Sequence, residues 1–135
     1  MDEEKIKYEL DIEHGVKKKL DSLSTSMYKH ITKVLGVLLD NAIDASKQSK
    51  EKKVIISVSS SKSKVIFSIE NTFKGKLDIS KIGNGYTTKG SGHGYGLRLV
   101  KDIMKETNSL EINNELKDKY YVVNLIINIK QKKKK

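Results

Sequence analysis

The chain has 135 residues, 36% hydrophobic and 33% charged, with 27 Lys and Arg against 17 Asp and Glu and hence a formal net charge of +10. That length suits one domain with a real core, and the balance of apolar to charged residues argues against wholesale disorder. The absence of cysteine excludes disulfides, thiol nucleophiles and thiolate metal sites; no apolar run approaches a bilayer's span, and the acidic start Met1-Asp2-Glu3-Glu4 is unlike a signal peptide.

Ile6, Tyr8, Leu10 and Ile12 alternate with Lys7, Glu9, Asp11 and Glu13, the period-two signal of a strand with one buried face. A polar, lysine-rich connection follows. Ile31, Val34, Leu35, Leu38, Ala42 and Ala45 then recur every three or four residues, which predicts a helix from about Met27 to Ser46, capped by Ser24, Thr25 or Ser26. The runs Lys53 to Ser59 and Lys64 to Asn71 predict a hairpin turning at Ser60 to Ser63, with Val65, Phe67, Ile69 and Asn71 on one face. From Lys74 to Gly94 periodicity disappears and glycine accumulates, which predicts a long functional loop. A second helix is expected from about Tyr95 to Thr107. Two strands, Leu110 to Glu115 and Tyr120 to Lys130, are expected around a turn at Asn114 to Lys119.

The expected fold class is therefore α+β: a two-layer sandwich in which a mixed, mostly antiparallel sheet is covered on one face by helices. Residues 1–130 form the single domain, with a lid over about 74–94 and a fraying lysine-rich tail at 131–135. The positive charge is spread over that tail and short clusters at Lys17 to Lys19 and Lys50 to Lys53, and aromatic residues are few. A nucleic-acid partner is not expected.

Two segments can carry chemistry. In Lys89-Gly-Ser-Gly-His-Gly-Tyr-Gly-Leu97 a glycine run enters a helix, whose first N–H groups and dipole favour anions. The blander reading is a surface loop ending in a helix cap. The run is neither a Walker A loop nor a Rossmann fingerprint. In Leu38-Leu-Asp-Asn41-Ala-Ile-Asp-Ala45 an Asn sits among apolar neighbours on a helix, where its amide oxygen suits Mg²⁺ beside phosphates. A buried Asn bonded to backbone is the alternative.

Together the segments resemble the GHKL superfamily of ATP-binding domains, which includes gyrase, MutL, the heat-shock chaperones and histidine kinases. The stretch from Leu38 to Ala45 looks like the family's N box, with Asn41 on the magnesium-binding Asn. Gly90 to Leu97 looks like the second glycine box, and Gly83 to Lys89 resembles the lid of receptor kinases. The resemblance implies the GHKL (Bergerat) sandwich, Mg²⁺ and ATP as cofactors, and nucleotide contacts from Asn71, Gly75, Thr87, Thr88, Lys89, Gly92, His93, Gly94, Gly96 and Leu97. Asn71-Thr-Phe73-Lys-Gly75 stands where the family has Asp-x-Gly-x-Gly, so a neutral amide would meet adenine. That degenerate box is most similar to the AgrC-like peptide-pheromone receptor kinases, which act in quorum sensing.

Hydrolysing members carry Glu four residues before the N-box Asn, where this chain has Val37. Transfer to an external nucleophile is implied instead. None of His14, His30 and His93 suits that role. The resemblance implies an upstream dimerisation domain bearing the phosphoacceptor histidine, a response regulator, and a cytoplasmic place in a membrane-anchored homodimeric receptor. A serine kinase of the anti-sigma type, or a non-catalytic nucleotide-sensing or interaction module, shares the fold. Asp40 and Asp44, at i and i+4, would support Asn41 or a metal-bound water, or remain solvated charges.

Overall fold

The computed structural model describes residues 5–75 and 94–129, the side chains of 94–97 excepted. Along the chain these form β1 (Lys7–Ile12), α1 (Val16–Leu20), α2 (Thr25–Lys47), β2 (Lys53–Ser60), β3 (Lys64–Thr72), α3 (Gly94–Glu106), β4 (Leu110–Lys117) and β5 (Tyr120–Asn128). The sheet order is β1-β2-β3-β5-β4. β1 runs parallel to β2, as a crossover through α1 and α2 permits, and every other pair is antiparallel.

The α2 stripe behaves as its spacing dictates. Ile31, Val34, Leu38 and Ala42 are all buried, and the Met27 N–H donates to the Ser24 side chain at 3.1 Å to close the first turn. They meet Val54 and Val58 of β2, Val65 and Ile69 of β3, Leu125 and Ile127 of β5, and Val100 and Ile103 of α3 in one core. α2 packs against β3, β2 and α3.

Three expectations need correction. β1 forms, but its apolar face is not buried: Tyr8, Leu10 and Ile12 are exposed, and among the described residues no helix packs closely on the first strand. The polar connection contains α1, which buries Val16 and follows Gly15 at φ 94; its end is tied to α2 by the Tyr28 hydroxyl, which donates to the Leu20 carbonyl at 2.7 Å. The last turn is narrower than expected. β4 and β5 stay paired as far as Lys117 and Tyr120, leaving a two-residue loop with Asp118 at φ 56.

Candidate functional site

Asn41 lies in the second half of α2, half-buried between buried Leu38 and Ala42. Its amide makes no hydrogen bond among the described residues. Asp40 beside it is exposed, Asp44 is half-buried, and Val37 packs on the edge of the core.

Asn71 is the next-to-last residue of β3, in register with Val54 on one side and Tyr121 on the other. It continues the column Val65, Phe67, Ile69 onto the helix-covered face, so its amide closes the end of an apolar stripe and is only 2% exposed. The side-chain nitrogen donates to the Thr72 carbonyl at 2.9 Å. The side-chain oxygen makes no hydrogen bond among the described residues, so it can accept one. Gly75 follows at φ 82, a left-handed conformation that a side chain would strain.

A buried polar clasp fixes these two segments against each other. Ser49, just beyond α2, donates from its hydroxyl to the Ser46 carbonyl at 2.7 Å and lies 2.7 Å from the Thr72 hydroxyl. The Ser49 proton is thus engaged, and the Thr72 hydroxyl is the donor between them. The N–H groups of Lys52 and Lys53 donate to Ser49 and Thr72 at 2.9 and 3.0 Å. Helix end, strand start and strand end are joined there, one residue from Asn71. Asn41 is two helical turns back, about 12 Å along the axis, roughly the reach of a nucleoside and its first phosphates. Ser49 and Thr72 carry no motif, and the sequence reading missed them.

At the far end of α2, His30 Nε2 lies 3.7 Å from the Glu106 carboxylate. The end of α3 therefore meets the start of α2, and α3 points its first turn, which begins at Gly94, toward the Asn41 end. The backbone N–H groups at the start of that turn, around Gly94 and Gly96, have no partners within the helix. Thr87, Thr88, Lys89, Gly92 and His93, with most of the expected lid and the lysine tail, lie outside the described residues.

Among the described residues no group of three or more His, Cys, Asp or Glu converges on a metal position. A hard cation at Asn41 would take one amide oxygen from the protein and its other oxygens from phosphate and water, the usual pattern for Mg²⁺. An open cleft of about 1160 Å³ lies at the opposite pole, lined by Lys18, Lys19, Ser24, Ser60, Lys62 and Asn128 among others. It shares no residue with the Asn41 and Asn71 site.

Comparison with known proteins bears on the same segments. The GHKL domain family matches residues 27–128. The sensor protein CitS of Bacillus subtilis is 29% identical over 91 residues, 64% of this chain but only 17% of CitS. The catalytic domain of the histidine kinase ThkA superposes with a TM-score of 0.66 at 24% identity, covering 91% of this chain and 78% of that one. The histidine kinase AdeS of Acinetobacter baumannii superposes with a TM-score of 0.61 at 20% identity, covering 95% of this chain and 56% of that one.

Proposed function

The chain belongs to the GHKL domain family, and from that membership and the site geometry we propose that it is the ATP-binding catalytic domain of a sensor histidine kinase of the AgrC-like peptide-pheromone type. The observation that supports this is the clasp of Ser49 and Thr72, which ties the end of the Asn41 helix to the end of the Asn71 strand. Likeness to CitS and to histidine kinase catalytic domains supports it.

In this reading the Asn71 side-chain oxygen accepts a hydrogen bond from the adenine amino group, and Gly75 lets the backbone turn beside the base. Asn41 offers its amide oxygen to Mg²⁺, with Asp40 or Asp44 as support. Thr87, Thr88, Lys89, Gly92, His93, Gly94, Gly96 and Leu97 face the phosphates with N–H, hydroxyl and ammonium donors. Bound Mg²⁺ offsets negative charge on the phosphates during transfer. Val37 offers no base to activate water. The γ-phosphoryl group passes to a histidine nitrogen on a dimerisation domain, ADP leaves, and a response regulator receives the group next. Such a domain works on the cytoplasmic side of a membrane-bound homodimer.

Asn71 and Phe73, in place of the family's Asp and Gly, favour a second reading, a module that keeps the fold without catalysis. Calorimetry separates the two. Mg²⁺-dependent ATP binding is expected for the chain, and Asn41→Ala should weaken it by at least about tenfold while the far-UV spectrum and melting temperature hold. Absence of heat at millimolar ATP, or binding indifferent to Asn41→Ala, sinks the kinase site as assigned.

A further inference from the structure

Five large apolar side chains are exposed among the described residues, and three of them, Tyr8, Leu10 and Ile12 at 57%, 66% and 57%, lie on one face of β1. They are in register with Val54, Ile56 and Val58 of β2, so they carry the core-side face of the sheet beyond its helix cover. β1 is also one of the sheet's two outer strands. The N–H groups of Lys7 and Glu13 donate to the Lys52 and Val58 carbonyls, each at 2.8 Å. Backbone groups alternate sides along a strand, so those of Tyr8, Leu10 and Ile12 face outward, a template for another strand.

The charges of the strand say which one. Lys5 and Lys7 occupy its first half, and Glu9, Asp11 and Glu13 its second. A strand basic at one end and acidic at the other complements itself when reversed. We propose that β1 pairs antiparallel with β1 of a second copy of this chain, about a two-fold axis at Glu9, joining two sheets into one.

In that register Tyr8 stands opposite Leu10 of the second copy, and both outward-facing residues exchange backbone hydrogen bonds. Ile6 stands opposite Ile12, Lys7 opposite Asp11 and Lys5 opposite Glu13. Glu9 meets its own copy at the axis, but each Glu9 is already bonded to Lys53 at 2.9 Å. A shift of two residues one way sets Glu9 against Asp11, like against like; the other way sets Ile12 against Glu4. The apolar strip spans a few hundred Å², well under the about 800 Å² per partner of a standard interface. The main-chain bonds therefore carry much of the association, and the dimer is weak and concentration-dependent. It does not depend on the nucleotide reading.

Sedimentation equilibrium of the 135-residue chain, from micromolar to millimolar concentration, is the test. A monomer–dimer equilibrium is expected. Leu10→Lys should weaken it by about tenfold or more, without lowering the melting temperature, because the side chain is exposed and its N–H faces away from β2. Lys7→Glu should weaken it by several-fold, and adding Asp11→Lys to that variant should restore it, since the reversed charges again match. A chain monomeric throughout, a dimer indifferent to Leu10→Lys, or a double variant no tighter than Lys7→Glu overturns the proposal. So does a photo-crosslinker at position 10 that links within one polypeptide instead of between two copies.

Discussion

Asn71 places a neutral amide at the end of an apolar column, and its two ends do different work. The nitrogen is spent on the Thr72 carbonyl, while the oxygen has no donor among the described residues. A carboxylate at this position would bond an amino group more strongly, because charge-assisted bonds are about twice as strong as neutral ones. It would also be costly to bury and would face the Thr72 carbonyl without a donor. Asn71→Asp is therefore expected to tighten ATP binding by roughly fivefold to tenfold and to lower the melting temperature of the nucleotide-free chain. Calorimetry and thermal melts together check it, since the two effects have opposite signs. Asn41 stands out in the sequence as an amide inside an apolar helical stripe, and Asn71 through the likeness of its segment to the family's first glycine box. Ser49 was not legible: it sits in the polar run Gln48 to Lys53, and its partner is 23 residues away.

Among the elements, the junction of α2, β2 and β3 rests on a few hydroxyls. Thr72→Val leaves the Lys53 N–H and the Ser49 hydroxyl without their partner in a buried place, at a cost of about 1–3 kcal/mol. Thr72→Ser keeps the oxygen and should recover most of that loss in denaturant titrations. Failure of Thr72→Val to destabilise would show that water replaces the clasp. α2 could be read from its period because helical spacing and burial coincide at Ile31, Val34, Leu38 and Ala42. α1 could not, since five residues with three lysines hold only Val16 and Leu20 as apolar marks. The β4–β5 turn was read too wide because Asn114, beside Asn113, looks like a turn residue. In the sheet the Asn113 side chain instead accepts from Asn124 across the ladder at 2.8 Å, and Asp118 takes the left-handed position.

For the whole molecule, alternation in β1 reported a strand truthfully but could not report its neighbours. Which face is covered depends on where α1 and α2 lie, and they lie over β2 and β3. Charge is likewise arranged by position. Glu9 with Lys53 and Glu51 with Lys119 pair near the Asn71 end, whereas the opposite pole gathers Lys18, Lys19 and Lys62 around an open cleft. Both pairs lie at the surface, with Lys53 half-buried and the other three side chains exposed, so their attraction is screened by salt and adds little to stability.

The one-sided bonding of β1 has a signature in time. Amides at Lys7, Glu9, Asp11 and Glu13 point into the ladder with β2, and those at Tyr8, Leu10 and Ile12 point away from it. Hydrogen–deuterium exchange followed residue by residue in dilute solution should thus alternate along the strand, slow at odd positions and fast at even ones. Raising the protein concentration should slow the even positions selectively. Uniform exchange along β1 at every concentration would mean that the strand opens as a unit before either set of amides is protected.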